Sequence, residues 1–509
     1  MISLLVRVGK LLCKGIYLCK CRDTCNEMFR LHLGQFWLSI NETSYYYYKE
    51  ETSVMNKIKQ SKILGLLKDA WEYGDLATRL SFIILGAGNL ARKQIVKGLI
   101  YLATEIGFIF YMAMYGLTAL SHFDDLGTKE PGRVMNAAGT AWVVQPGDNS
   151  MLMLLAAAVA VFVIVLFVIM WYKSIRSAYT TQQKKELGKH INSFKEDIQE
   201  YFDTKLHFTM LMLPVLSILV FNILPLFYMI LIAFTNFDQN HQPPGNLFDW
   251  VGLKNFAVML NFNGKIGKTF WPILEWTFIW AIFATFLNYI FGMLLAIIIN
   301  RKGTRLKAMW RTCFVLTIAI PQFVSLLLMN HMLADQGPLN GTLMSLGLID
   351  EPILFLSTKT AARITIIIVN LWVGMPYTML VTTGILQNIP SDIYESARVD
   401  GANAFTIFWK ITLPYMLFVT TPKLITDFVG NINNFNVIFF LSAGGPKTND
   451  YYQSGYTDLL VTWLYQLTTN SKDYCYASVI GIFVFIISAG LSLITFRNTA
   501  SYKDEEGFS

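Results

Sequence analysis

The chain carries the stretch Ile389-Pro-Ser-Asp-Ile-Tyr-Glu-Ser-Ala-Arg-Val-Asp-Gly-Ala-Asn-Ala-Phe-Thr-Ile-Phe-Trp-Lys-Ile-Thr-Leu-Pro414, a polar segment between two long apolar runs. Ser391 is suited to cap a short helix, and Gly401 suits the left-handed residue that ends it. Asn403 can cap a second turn, and Pro414 suits the first position of the next membrane helix. The stretch therefore predicts two short capped helices. They serve either as a docking element for another protein or as an ordinary loop between membrane helices.

The composition is that of a membrane protein. Of 509 residues, 54% are hydrophobic and only 15% are charged, whereas soluble proteins carry roughly 25% charge. The high aromatic content suits the belts of Trp and Tyr found at membrane interfaces. The net charge of +7 is modest. In such a chain it reflects basic cytoplasmic loops more than binding to nucleic acid.

Eight apolar runs each have roughly the 20 residues that a bilayer crossing needs. They cover residues 95–121, 151–172, 208–235, 272–299, 311–333, 362–387, 415–441 and 475–496. Lys and Arg concentrate in alternate loops, and one of these basic loops is the stretch 389–414. By the positive-inside rule, that stretch and both termini face the cytoplasm. We therefore predict an all-α polytopic membrane protein with about eight transmembrane helices, N-in and C-in.

Residues 1–54 differ from the rest of the chain, and no apolar run in them is long enough to cross a bilayer. They contain four cysteines, Cys13, Cys19, Cys21 and Cys25. This spacing differs from the paired CxxC of zinc sites, so we expect no metal there. We interpret residues 1–54 as a non-core extension. It is either an upstream extension of the reading frame before Met55 or a small cytoplasmic accessory segment.

Two of the membrane runs carry polar residues on one helix face, spaced three, four or seven residues apart. In the sixth run they are Asn370, Gly374 and Tyr377, and in the seventh they are Asp427, Gly430, Asn431 and Asn434. Amides and carboxylates bind sugar hydroxyl groups, and aromatic rings pack on the apolar faces of pyranoses. A binding site for a sugar is therefore one interpretation. Hydrogen bonding between packed helices is the other.

The order of residues in the polar stretch resembles the coupling loop, or "EAA" loop, of ABC importer permeases. The matching elements are Glu395-Ser396-Ala397, Asp400-Gly401-Ala402 and Ile411-Thr-Leu-Pro414, against the family's E-A-A-x-x-x-G and I-x-L-P. Ser396 replaces the first alanine of the family pattern. The resemblance implies that this loop docks into a cleft on a cytoplasmic ATPase subunit. Glu395 would bond at that interface, and Gly401 would make the turn.

Residues from about 209 to 499 resemble the maltose permease subunit of the MalF type. By position, sugar-contacting residues of that family match Asn370, Gly374, Tyr377, Asn431 and Asn434. Two further positions depart from the family, because Gly430 replaces an aromatic ring and Asp427 replaces a small hydroxyl residue. These departures argue against maltose itself. They leave a maltodextrin, another α-glucan or another oligosaccharide as the expected substrate.

The resemblance also implies the fold of a type I ABC importer permease. The expected organisation is a cytoplasmic segment over 55–94, two accessory membrane helices and a cytoplasmic loop over 95–207, a third membrane helix and short external loop over 208–270, the permease core over 271–498 and a cytoplasmic tail over 499–509. The implied partners are a second permease subunit, two ATPase subunits and an external solute-binding protein. ATP and Mg²⁺ would bind to the ATPase partners, and this chain would bind no cofactor. The assembly would lie in the plasma membrane of a bacterium.

Two other classes of protein remain as alternatives. Glu105, Lys423 and His331 are further ionisable residues near membrane depth, and with Asp427 they could serve a secondary sugar transporter driven by an ion gradient. Such transporters usually show internal repeats, and no clear repeat is present. A membrane enzyme would need a catalytic constellation, which the chain lacks. Gly267-Lys268-Thr269 has only the end of a Walker A loop, so we expect no ATP hydrolysis by this chain.

Overall fold

A computed structural model of the chain describes residues 63–135, 140–301 and 303–497. The predictions for residues 1–54, for their cysteines and for the tail 499–509 lie outside the described residues. The helices are α1 (Ile63–Glu72), α2 (Leu76–Leu80), α3 (Ala87–Ala91), α4 (Ile95–Ser121), α5 (Ser150–Glu186), α6 (Phe194–Phe202), α7 (Leu206–Ile232), α8 (Lys254–Leu260), α9 (Lys265–Asn300), α10 (Lys307–Ala319), α11 (Gln322–Met332), α12 (Pro338–Ser345), α13 (Lys359–Gln387), α14 (Ser391–Val399), α15 (Ala404–Ile432), α16 (Phe435–Ser442), α17 (Leu460–Gln466) and α18 (Tyr474–Arg497).

One feature departs from an all-α fold. An antiparallel hairpin pairs β1 (Gly132–Met135) with β2 (Trp142–Gln145), and Val134 lies opposite Val143. Every residue of both strands is exposed. The hairpin lies between α4 and α5, and the prediction of an all-α fold did not include it.

Among the described residues, seven helices are long and apolar enough to cross a membrane, namely α4, α5, α7, α9, α13, α15 and α18. A further pair, α10 and α11, passes the same test together but is bent by 90°. The bend falls at Pro321, which has no N–H group to continue the helix, and at Ile320, whose backbone is extended. The prediction of a polytopic helical membrane protein is therefore confirmed, with the fifth run present as a broken helix.

The seventh predicted run, 415–441, has different boundaries in the structure. Its helix α15 begins earlier, at Ala404, and ends at Ile432. A second helix, α16, follows after a break, and the side chain of Asn434 caps it by accepting a hydrogen bond from the backbone N–H of Val437 (3.3 Å). Asparagine side chains near the break compete for backbone hydrogen bonds, which explains why one apolar run becomes two helices.

Among the described residues, one compact unit comprises 63–110 together with 164–209. A buried hydrogen-bond network holds its short helices. The guanidinium group of Arg92 donates to Oδ1 of Asp75 (2.7 Å), to Oγ1 of Thr78 (2.6 Å) and to the carbonyl oxygen of Gly88 (2.8 Å). Oε1 of Gln182 accepts from the backbone N–H of Asp75 and from the Thr78 hydroxyl group. Burial raises the pKa of the Asp75 carboxyl group, but hydrogen bonds from Thr78 and the charge of Arg92 outweigh it and lower that pKa.

The second compact unit contains the described residues of 111–163 and 210–497. Helix α9 lies at its centre and packs against α13 and α15. Small residues allow the close approach of α9 and α13, since a Cβ atom at Gly292 would lie 2.7 Å from Cβ of Thr378. The fully buried rings of Trp280 and Trp463 fill the two largest core clusters of this unit. Helix α18 packs against α15 and α17.

The loop 443–459 between α16 and α17 is organised around a buried carboxylate. Asp458 is fully buried, and its Oδ2 accepts hydrogen bonds from the backbone N–H of Gly455 (2.8 Å) and from Oγ of Ser454 (3.0 Å). The ammonium group of Lys447 lies 3.8 Å from the same oxygen. Burial raises the pKa of the Asp458 carboxyl group, and these neighbours only partly oppose that shift. The burial of this aspartate was not anticipated from the sequence, because it depends on how the loop folds back.

Candidate functional site

The first helix of the polar stretch, α14, starts differently from the prediction. Pro390 occupies the N-cap position, where no side chain caps the helix, and Ser391 is already the first helical residue. The Ser391 hydroxyl group donates to Oδ1 of Asp392 (3.3 Å). The prediction that Ser391 is the cap was therefore wrong by one residue. The fixed φ of Pro390 suits the position just before a helix, so the helix can begin at Ser391.

The end of α14 follows the prediction closely. Gly401 has φ = +79°, the left-handed conformation that favours glycine. Its N–H donates to the carbonyl oxygen of Arg398 (3.0 Å), and the N–H of Ala402 donates to that of Ala397 (2.9 Å). These two bonds form a Schellman motif, which satisfies the last carbonyl groups of the helix. Oδ1 of Asn403 then accepts from the N–H of Thr406 (2.8 Å), which confirms the predicted second cap.

The two halves of the polar stretch are tied together. The hydroxyl groups of Tyr394 and Thr412 are hydrogen-bonded (3.2 Å), which joins α14 to α15. Helix α15 runs without a break from Ala404, with a π-helical turn over Phe408–Thr412. Pro414 is the second residue of the regular α-helical segment Leu413–Ile432, within one residue of its predicted place, and the π-helical turn joins this segment to the preceding short helix. The missing N–H of Pro414 falls at the end of the π-helical turn, where a backbone hydrogen bond is more easily lost.

The surface of this turn is exposed and carries both charged and apolar side chains. Glu395, Ser396 and Asp400 are exposed, while Ala397 and Ala402 are half-buried. Val399 is 88% exposed and Phe405 is 71% exposed on either side of Gly401. An exposed apolar pair flanked by charges is typical of a surface that contacts another protein. Val399 was not singled out in the sequence, because nothing local shows that it points away from the core.

A second cluster forms where α13 and α15 meet. The ammonium group of Lys423 makes an ion pair with Asp427, one turn further along α15. The same ammonium group lies 5.1 Å from the centre of the Tyr377 ring on α13. The predicted residues Tyr377 and Asp427 are therefore brought together, and Lys423 links them. The local pattern predicts the pairing of Lys423 with Asp427 but not its contact with Tyr377.

Asn431 and Asn434 lie together against α9. The side-chain amide of Asn431 donates to Oγ1 of Thr285 (2.9 Å), and that of Asn434 donates to Oδ1 of Asn431 (3.1 Å). The backbone carbonyl oxygen of Asn431 accepts from the indole of Trp280 (3.1 Å). In this structure both amides take part in the packing between helices, as the alternative interpretation of these residues predicts.

Gly374 faces a polar residue of α9 that the sequence interpretation missed, and Asn370 lies one turn before Gly374 on α13. A Cβ atom at Gly374 would lie 2.3 Å from Nδ2 of Asn288. Asn370 is only 4% exposed, and neither its Nδ2 nor Oδ1 of Asn288 has a hydrogen-bond partner among the described residues. Thr285 and Asn288 are spaced three residues apart in an apolar run, and this spacing could have identified them. Gly430 has no described atom within 4 Å of a Cβ position, so this side of α15 is open.

The remaining sequence features show no additional chemistry. Within the ranges that the structure covers, no group of three His, Cys, Asp or Glu side chains could hold a metal ion. Gly267 lies in the first turn of α9, where a Cβ atom would be 2.0 Å from the carbonyl oxygen of Asn261. A phosphate-binding loop would follow a strand, so this geometry does not support one. Glu105 accepts a hydrogen bond from the backbone N–H of Leu85 (2.9 Å).

Together, the spanning helices and the two polar clusters define a multi-pass membrane transport protein. Residues 288–499 match the family described as "Binding-protein-dependent transport system inner membrane component". The galactooligosaccharides permease GanP of Bacillus subtilis is 34% identical over 428 residues, which cover 83% of this chain and 97% of that protein. The maltodextrin permease MdxF of the same organism is 32% identical, over 83% of this chain and 95% of that one.

A third relative is of the MalF type, the type of permease that the sequence analysis found residues 209–499 to resemble. The maltose/maltodextrin permease MalF of Escherichia coli is 34% identical over 278 residues, which cover 54% of this chain and 53% of that protein. This chain belongs to the family of binding-protein-dependent inner membrane permeases, which are the membrane subunits of ABC importers. The family assignment made from the coupling-loop motif is therefore confirmed.

Proposed function

We propose that this chain is the permease subunit of an ABC importer for an oligosaccharide and that it couples ATP hydrolysis in partner subunits to sugar translocation. The observation that carries the proposal is the continuity of α15. This one helix of 29 residues begins beside the Gly401 turn and carries Lys423 and Asp427. At about 1.5 Å per residue, it connects the coupling surface to the polar cluster over roughly 35 Å.

The coupling step follows from this connection. The turn at Gly401 is rigid because a Schellman motif and the Asn403 cap satisfy its backbone groups. The Tyr394–Thr412 hydrogen bond joins it to α15. When two ATPase subunits close on ATP, a push on Val399 and Glu395 would move α15 as a body. The polar cluster would then switch between inward-facing and outward-facing arrangements.

The sugar would contact α13 and α15 where they meet. The exposed face of Tyr377 offers a ring for a pyranose, and Asp427 offers a carboxylate for hydroxyl groups. The unpaired amide atoms of Asn370 and Asn288 could be satisfied by hydroxyl groups of the same ligand. Asn431 and Asn434 would contribute after giving up their present side-chain hydrogen bonds, to Thr285 of α9 and to Asn431 respectively. Gly430 would leave room for the sugar, and Gly374 lets the side chain of Asn288 approach α13.

The proposed substrate class rests on the relatives. One is named for galactooligosaccharides and two for maltodextrin, so their shared chemistry is a short neutral oligosaccharide. The proposed assembly contains a second permease subunit, two ATPase subunits and an external solute-binding protein. ATP and Mg²⁺ bind to the ATPase subunits in this assembly. This chain supplies the pathway and the coupling surface and does not itself hydrolyse ATP.

The site is tested by substitution in the assembled transporter. Replacing Tyr377 by Ala should raise the sugar concentration for half-maximal uptake about tenfold, because a stacking ring contributes about 1 kcal/mol or more. The matched control is Tyr115→Ala, since Tyr115 lies on α4 and is 63% exposed, compared with 53% for Tyr377. Unchanged uptake kinetics for Tyr377→Ala would contradict the proposed site. Equal effects of Tyr377→Ala and Tyr115→Ala on the uptake kinetics would also contradict it.

The ion pair at membrane depth favours one competing function, a secondary transporter driven by an ion gradient. The two functions differ in their energy source. Depletion of ATP should stop uptake by an ABC importer, whereas an uncoupler acting at constant ATP should not. The opposite result would support the competing function.

A further inference from the structure

Lys423 occupies a central position in the proposed sugar site, although the resemblance assigns it no role. Its ammonium group pairs with the carboxylate of Asp427 and lies over the ring of Tyr377 at 5.1 Å. The side chains of Lys423 and Asp427 are 25% and 38% exposed, so the pair is open to a ligand on one side. Lys423 therefore already contacts two groups of the proposed sugar site, the carboxylate of Asp427 and the ring of Tyr377.

We infer that Lys423 determines substrate specificity: with Asp427 it forms a charge-balanced pair that selects neutral over acidic oligosaccharides. This inference rests on the proposed function and adds a residue and a selection rule to it. A neutral sugar presents hydroxyl groups, which both donate and accept hydrogen bonds. It can donate to Asp427 and accept from Lys423 at once. Hydrogen bonds to charged groups are roughly twice as strong as those between neutral groups.

An acidic sugar meets a different balance of forces. Its carboxylate is attracted by the ammonium group of Lys423 but repelled by the carboxylate of Asp427, since the two groups are in contact. The two charges therefore largely cancel for an incoming anion. The cost of moving that anion out of water into the membrane interior then stays uncompensated. A single positive charge at this position would remove the repulsion and favour the anion.

The shape of α15 beside the pair is consistent with a ligand there. Gly430 lies one turn beyond Asp427 on the same face, and no described atom is within 4 Å of its Cβ position. Tyr377 on the opposite helix is 53% exposed. A sugar ring placed between them would displace the ammonium group from the aromatic face while Lys423 keeps its contact with Asp427.

The test measures binding of two probes to the purified transporter complex without its solute-binding protein. One probe is maltotriose, which is neutral, and the other is trigalacturonate, which has the same number of rings and three carboxylates. The wild-type complex should bind maltotriose at least about tenfold more tightly. Asp427→Asn leaves Lys423 unpaired and should shift the ratio about tenfold toward trigalacturonate. Lys423→Gln should shift the ratio in the opposite direction by a similar factor.

The decisive result is that Asp427→Asn and Lys423→Gln shift the binding ratio in opposite directions. Damage to the fold would instead weaken the binding of both probes together. Lys423→Arg keeps the charge and should restore the wild-type ratio. Lys254→Gln removes an exposed lysine at the start of α8 and should leave the ratio unchanged. Shifts of the same sign, or no shift, would overturn the inference while the proposed function stands. Failure of the wild-type complex to bind maltotriose would instead overturn the proposed function, and this inference with it.

Discussion

Gly444 packs directly against the buried carboxyl group of Asp458. A Cβ atom at Gly444 would lie 2.1 Å from Oδ1 of Asp458, and Gly444 has φ = +76°. Both the conformation and the contact therefore require glycine at this position. Because Asp458 also holds Ser454 and Gly455, this one pair fixes the fold of the loop 443–459. The alternation of basic loops predicts that this loop lies on the external side of the membrane.

Replacing Gly444 by Ala should destabilise the protein by about 2–4 kcal/mol. A left-handed residue with a Cβ costs about 1 kcal/mol, and overpacking adds about 1–3 kcal/mol. The matched control is Gly347→Ala, because Gly347 has φ = +67° and no described atom within 4 Å of its Cβ position. It should cost only about 1 kcal/mol. Thermal unfolding of the purified complex measures both, and equal losses would contradict the packing argument.

The raised pKa of Asp458 makes the stability of the loop depend on pH. Burial raises this pKa, so the folded loop binds a proton more strongly than the unfolded chain, whose reference pKa is 3.8. Stability is therefore highest below that value and falls as the pH rises toward the folded-state pKa. Hydrogen exchange of residues 443–459, corrected for its intrinsic pH dependence, should show this decline. Asp458→Asn cannot titrate and should remove the decline, and an unchanged slope in that variant would refute the assignment.

Arg92 should be important for the stability of the first compact unit. Its side chain is 2% exposed and bonds to Asp75, Thr78 and Gly88. Arg92→Gln should lower stability by about 2–3 kcal/mol, since buried partners lose their hydrogen bonds. Asp75 is 50% exposed and can turn to water, which limits the cost. The control Arg79→Gln removes one exposed bond, to the carbonyl oxygen of Glu72, and should cost under about 0.5 kcal/mol in the same thermal assay.

The left-handed turn at Gly401 should be essential for coupling. Gly401→Val should abolish uptake, because a β-branched residue cannot adopt φ = +79° without strain. Gly401→Asn should retain most activity, since Asn tolerates this conformation. The control is Gly347→Val, which places valine in a similar left-handed conformation (φ = +67°) away from the Gly401 turn. This variant should leave uptake largely intact. Membrane insertion of each variant is checked by its yield in the membrane fraction.

A charge reversal tests the same surface without backbone strain. Glu395→Lys should reduce both uptake and copurification of the ATPase subunits, because Glu395 is exposed at the proposed interface. Leu348→Lys is a suitable control. Leu348 is 67% exposed and lies in a segment predicted to be on the external side of the membrane, opposite to the ATPase subunits. Retention of the ATPase subunits and normal uptake in Glu395→Lys would argue against the coupling role.

Local chemistry predicted much of this fold. The Gly401 turn and the Asn403 cap follow from the preferences of single residues, and both are present. Apolar runs of sufficient length identified the spanning helices. The error at Ser391, and the continuity of α15 before Pro414, arose where neighbouring structure decided the outcome. A cap position moved to Pro390, and a π-helical turn let α15 continue through Pro414.

Side-chain contacts between distant residues could not be predicted in the same way. Lys423 and Tyr377 are far apart in sequence, and only the packing of α13 beside α15 brings them together. Asn288 faces Gly374 for a similar reason. Asp458 has an ordinary loop sequence around it, and its burial depends on the return of the chain over Gly444. These contacts depend on tertiary packing, which the periodicity of one sequence does not encode.

The most direct test of the central claim is sugar uptake by proteoliposomes that contain this chain and its partner subunits. We expect uptake when ATP and Mg²⁺ reach the ATPase subunits, no uptake from an imposed ion gradient alone, and loss of ATP-driven uptake in Gly401→Val. Uptake driven by an ion gradient in vesicles that hold this chain without any ATPase subunit would contradict the proposed coupling to ATP hydrolysis.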